Sequence, residues 1–80
     1  MEYLYVQGHL YGDYFVESDG TEEQIEGIEE TCPQCGDCDM VIDVFSTFED
    51  VKNIINSQNY NAEYTEELLK EAKVLFEKPE

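Results

Sequence analysis

No lysine or arginine precedes Lys52, and the first 51 residues carry fourteen carboxylates. Those residues sum to −14; residues 52–80 hold six acids and four lysines, hence −2, and the whole chain carries −16. A folded domain of this size cannot spread such a charge thinly, so it presents a strongly negative surface. That surface repels nucleic acid and anionic membrane and attracts basic protein. Self-repulsion also works against the compact state, and less so once salt screens it.

At 80 residues the chain reads as one domain, 1–80. A core of this size supplies little net stability, and such scaffolds often add a disulfide, a metal or a second subunit. The apolar fraction of 41% is ordinary for a globular chain, which argues against general disorder. No apolar run approaches the roughly 20 residues of a membrane span. Met1-Glu2-Tyr3 has no basic n-region, so no signal peptide is expected and the expected compartment is the reducing cytoplasm. Three cysteines there point to a metal, redox or inert role rather than a disulfide framework.

The patterning predicts an α+β fold: a small antiparallel sheet, made of an N-terminal hairpin plus a strand over 40–45, with two C-terminal helices on one face. Tyr3–Val6 and Tyr14–Val16 are strand formers, and Gly12-Asp13 suits a two-residue turn. That register sets Tyr11 opposite Tyr14 and Leu10 opposite Phe15. Leu4, Val6, Leu10 and Phe15 then form the core face, and Tyr3, Tyr5, Gln7, His9, Tyr11 and Tyr14 form the other. Thr21-Glu22-Glu23-Gln24 fits a capping box, with Ile25, Ile28 and Cys32 at helical spacing, so residues 21–31 read as a short helix or irregular turn; Gly27 weakens the helix, and a strand over 28–32 is the alternative. Met40–Phe45 is a clear strand. Ser46 or Thr47 caps a helix that buries Phe48, Val51, Ile54 and Ile55. A last helix runs from about Thr65 to Glu77 on a stripe of Leu68, Leu69, Ala72, Leu75 and Phe76, and Pro79 closes it.

Cys32-Pro33-Gln34-Cys35-Gly36 has the spacing that brings two sulfurs to one tetrahedral ion at about 2.3 Å. These residues resemble the knuckle of zinc-ribbon and rubredoxin-type sites. The resemblance implies zinc, but the second Cys-x-x-Cys of that pattern is missing. Cys38 could supply a third sulfur and His9, the only imidazole, a fourth ligand; Asp37 or Asp39 could donate oxygen instead, or two chains could each lend a knuckle to one ion in a homodimer. Free thiols in a cysteine turn are the plain alternative. Cys-Pro-x-Cys also resembles the glutaredoxin active site, which implies thiol redox chemistry. However, a strand rather than a helix is expected to follow the motif, and the surrounding carboxylates would raise a thiol's pKa.

Residues 17–30 carry Glu17, Asp19, Glu22, Glu23, Glu26, Glu29 and Glu30, followed by Asp37, Asp39 and Asp43. Clustered carboxylates can imitate the field of a phosphate backbone, about one charge per 1.7 Å of duplex axis. In size and charge the chain resembles small acidic phage-encoded inhibitors, including DNA mimics. The resemblance implies a basic partner of host or phage origin, such as a nucleic-acid enzyme, contacted through Glu22, Glu23, Glu26, Glu29, Glu30, Asp37 and Asp39 and flanked by Tyr5, Tyr11 and Tyr14. The plain alternatives are a solvated face that keeps the protein soluble, and tyrosines that belong to the core. No catalytic constellation and no phosphate-cradling loop is visible, so no enzymatic activity is expected.

Overall fold

The computed structural model describes residues 2–9, 12–31, 33–34 and 36–77. Its elements run β1 (Tyr3–Gln7), β2 (Tyr14–Glu17), α1 (Glu22–Ile28), β3 (Met40–Phe45), α2 (Phe48–Ser57) and α3 (Ala62–Glu77). The chain divides into two compact units, residues 1–44 and 45–80. The charge is unevenly shared between them. The first unit has twelve carboxylates and no lysine or arginine (−12); the second has eight and all four lysines (−4), which together give −16.

In the first unit the strands form one sheet in the order β2-β1-β3. β1 and β2 are antiparallel. β3 also runs against β1: Asp39, just ahead of β3, bonds His9 just beyond β1, while Val44 near the end of β3 lines a cleft with Glu2 and Leu4 at the start of β1. The predicted α+β class and the strand over 40–45 therefore stand. As the central strand, β1 is covered on both faces, with Leu4, Tyr5 and Val6 all buried.

The predicted hairpin register does not stand. Tyr5 lies opposite Phe15 and Val6 opposite Tyr14, so the strands are joined by residues 8–13 rather than by a two-residue turn at Gly12-Asp13. The register moves by an odd number of residues, which exchanges the faces of β2 relative to β1. Phe15 now shares the face of Tyr5, and the two rings meet edge-on at 5.2 Å. Tyr14 moves to the face of Val6, so no single tyrosine face forms. The observed loop depends on a close backbone approach that glycine permits: a Cβ on Gly8 would lie 2.2 Å from the Gly12 carbonyl oxygen. Gly12 itself adopts φ +85°. The core placement of Leu10 and the cross-strand place of Tyr11 lie outside the described residues.

Thr21 caps α1 by accepting the Gln24 backbone N–H at 3.3 Å, as the capping box predicts. The same device recurs at Thr47, which accepts the Asp50 N–H at 3.1 Å and starts α2. In the second unit, α2 and α3 pack as a helical hairpin. Val51 and Ile55 on α2, and Leu68 and Ala72 on α3, are buried i,i+4 pairs; Phe48, Ile54, Leu69 and Leu75 are only half-buried. Phe76, predicted in the apolar stripe, is 38% exposed, although its ring lies 6.2 Å from Phe45 and 6.4 Å from Phe48. α3 starts three residues earlier than the pattern predicts, because Asn61 is itself the cap and accepts the Tyr64 N–H at 2.8 Å. Just before it, Asn59 takes the left-handed φ of 59° that turns the chain after α2. Pro79, the predicted stop, lies outside the described residues.

Candidate functional site

Two groups of predicted site residues fall in the first unit. The first is the acidic set on and beside α1. Successive helical residues are about 100° apart, so Glu22, Glu23 and Glu26 fall within an arc of about 100° on α1, and Glu29 and Glu30 follow just beyond its end. Ile25 and Ile28, which fall outside that arc, are half-buried, whereas Glu22, Glu23, Glu26, Glu29 and Glu30 are all exposed. The arrangement is not one that best stabilises a helix. Glu22 and Glu23 suit the first turn, but Glu22 and Glu26 are like charges at i,i+4, and the last turn has no basic residue.

The side chains of Glu22, Glu23, Glu26, Glu30 and Asp37 take no hydrogen bond or ion pair from any described residue. Glu29 differs. Its Oε2 accepts the Val41 backbone N–H at 3.1 Å, so this carboxylate ties the end of α1 to β3. Asp43 likewise accepts the Val44 N–H at 2.8 Å. Carboxylates on the backbone of an outer strand also discourage edge-to-edge pairing with another chain.

The second group surrounds Asp39. Its Oδ1 accepts the His9 backbone N–H at 3.0 Å and faces the His9 Nδ1, and its Oδ2 accepts the Tyr14 hydroxyl at 2.5 Å. Asp39 was predicted to face a partner; instead it is half-buried and joins the hairpin loop and β2 to the start of β3. The hydrogen bond from Tyr14 and those from the His9 backbone and ring hold its carboxyl below the ordinary range. Burial, followed by the hydrogen bond and charge of Asp39, pushes the Tyr14 hydroxyl up to about 12. Both shifts move away from neutrality, opposite to what a general acid–base pair requires.

Tyr5 also departs from its predicted role. It is fully buried, and its hydroxyl donates to Asp13 Oδ2 at 2.6 Å, so its ring belongs to the core. Tyr14 spends its hydroxyl on Asp39, and Tyr11 lies outside the described residues. Tyr5 therefore belongs to the core rather than flanking the acidic face, and Tyr14 directs its hydroxyl to Asp39. One signal for this was present in the sequence: buried tyrosine hydroxyls need acceptors, and Asp13 and Asp39 are carboxylates next to apolar strand residues.

Of the predicted zinc ligands, Cys32 and Cys35 lie outside the described residues and Cys38 is exposed. Among the described residues, no three His, Cys, Asp or Glu side chains gather as a metal site. Asp39 engages the Nδ1 side of His9, the arrangement by which a carboxylate orients an imidazole whose other nitrogen binds metal. Pro33 and Gln34 lie in a turn, Gly36 takes φ +79°, and the next element is β3, so no helix follows the cysteine motif. The helix N-terminus that would lower a thiol's pKa is thus missing there. No helix among the described residues is long and apolar enough to cross a membrane. No family model, curated protein or solved structure matches this chain.

Proposed function

We propose that this chain is a small acidic protein-binding module that occupies a basic, nucleic-acid-binding protein by electrostatic mimicry, as an inhibitor of the phage type. The observation that carries this reading is the coincidence of charge with structure. The 44-residue unit holding α1 has no cation, and Glu22, Glu23, Glu26, Glu30 and Asp37 stand exposed without an internal partner. Exposed carboxylates without a partner inside the chain, on α1 and in the segment that follows it, are available to meet lysine and arginine. Such contacts speed encounter and weaken with salt. The acid–base mistuning around Asp39 supports a binding role over catalysis, and a reducing cytoplasm suits the free thiol of Cys38.

The test is capture of partners on the immobilised full chain at about 50 mM and about 200 mM salt. Each purified partner is then assayed for nucleic-acid binding in the presence of the chain. Basic proteins that are released at the higher salt and displaced from their nucleic acid support the reading. Salt-insensitive capture, or partners without a basic surface, refutes it.

A second reading has one observation in its favour, the Asp39–His9 contact. In it the chain is a zinc-stabilised interaction domain whose charge serves solubility, with Cys32, Cys35, Cys38 and His9 holding the ion and Asp39 orienting His9. Elemental analysis of protein purified under reducing conditions, with thermal melts with and without chelator, tests it. Stoichiometric zinc and chelator-induced unfolding are expected, since structural zinc contributes folding energy. Metal-free protein with an unchanged melt dismisses it.

A further inference from the structure

Beside the acidic side of α1 is a surface cleft of about 280 Å³, within the first unit. Its apolar lining comes from three elements: Leu4 of β1, Ile25 of α1 and Val44 of β3. Its polar lining is mostly committed. The Thr21 hydroxyl caps α1 while donating to Asp19 Oδ1 at 2.7 Å, and the Ser18 hydroxyl accepts the Gly20 N–H at 3.2 Å. The side chains left for recognition are the carboxylates of Glu2 and Glu22, which take no hydrogen bond or ion pair from any described residue. The cleft is smaller than the roughly 300–1,000 Å³ typical of small-molecule sites. An apolar lining with two carboxylates and no cation excludes anions. It matches a side chain with an apolar stem and a cationic head.

We propose that this cleft receives one lysine or arginine side chain of the basic partner, with the stem against Leu4, Ile25 and Val44 and the head against Glu2 and Glu22. The inference rests on the acidic-surface reading and adds a defined anchor to it. It also explains why Val44 stays 41% exposed in a strand whose neighbour Leu4 is 1% exposed: the floor is completed by the partner.

The test uses the full chain and octalysine as probe, read by backbone amide chemical shifts and by affinity at low salt. Shifts concentrated on Ser18–Glu22, Ile25 and Val44 are expected. E2Q/E22Q should weaken binding about fivefold, the loss of two exposed ion pairs. E23Q/E26Q, the same charge change elsewhere on α1, should lose no more than about twofold. V44T leaves the charge unchanged and should lose about threefold through the apolar stem. These side chains are on the surface; where a variant misfolds, the wild-type shift map decides. If octalysine binds but its shifts spread evenly over residues 17–39, or V44T binds like wild type and the two double variants lose equally, the cleft is not an anchor and the acidic-surface reading survives. If octalysine fails to bind at about 10 mM salt, where screening is weakest, both fall.

Discussion

Replacing Asp39 with asparagine tests how the first unit is held together. The carboxylate accepts from the His9 backbone N–H, the His9 ring and the Tyr14 hydroxyl. Hydrogen bonds to a charged group contribute about 1.5–3 kcal/mol and neutral ones about 0.5–1.5, so losing the charge costs about 1 kcal/mol at each. The side chain is 21% exposed, and solvent screening trims the total to about 2 kcal/mol. An asparagine oxygen turned toward His9 leaves its NH2 facing the Tyr14 hydroxyl, which must then rotate to accept. At about 4–8 °C per kcal/mol for a domain of this size, the melting temperature should fall by about 8–16 °C. The assay is thermal and urea unfolding of both proteins, followed by circular dichroism across pH. The folded carboxyl lies below its ordinary 3.8, so its contribution is fully present above 3.8 and is lost as pH falls through the depressed folded value. The two proteins should differ most at neutral pH and converge once pH has fallen below the depressed folded value. Overall stability follows a different course, because acidification relieves the repulsion of the −16 charge; the difference between the proteins isolates Asp39. Equal stability at neutral pH, or a gap that persists unchanged in acid, would refute this account.

Three further outcomes follow from the same structure. Gly8→Ala should destabilise by about 1–3 kcal/mol, since its Cβ would meet the Gly12 carbonyl oxygen at 2.2 Å, whereas Gly27→Ala, whose Cβ meets nothing within 4 Å on α1, should stabilise by about 0.5–1 kcal/mol; urea unfolding of the pair would show opposite signs. Thr47→Ala removes the acceptor for the Asp50 N–H and should cost about 1 kcal/mol, read from the same unfolding curves, with a matching loss if Thr21 is changed instead. Raising salt from about 10 mM to about 1 M shortens the screening length from about 30 Å to about 3 Å and should raise the melting temperature, because net repulsion dominates a chain of charge −16; a flat or falling dependence would show that the carboxylates are better compensated than their count implies.

Much of the local structure was legible in the residues. The strand Met40–Phe45, the threonine cap of α1 and the buried positions Val51, Ile55, Leu68 and Ala72 follow from spacing and capping chemistry, which act over a few residues, whereas Phe76, on the predicted stripe of α3, is exposed. The start of α3 was missed because Asn61 looks like one more residue of a polar connection until its side chain is seen to accept the Tyr64 N–H. The acidic residues were identifiable as a group, but their division was not: nothing local separates Glu29, bound to the Val41 N–H, from Glu30, which faces water.

By itself the chain determined its elements and its charge, because propensity, capping and ionisation are properties of neighbouring residues. Tertiary structure alone decided the hairpin register, and with it the fate of the tyrosines. The turn residues allow several pairings whose local energies are close. The choice among them falls to contacts between distant residues: Gly8 against Gly12, Tyr5 on Asp13, and Asp39 reaching back 30 positions to His9.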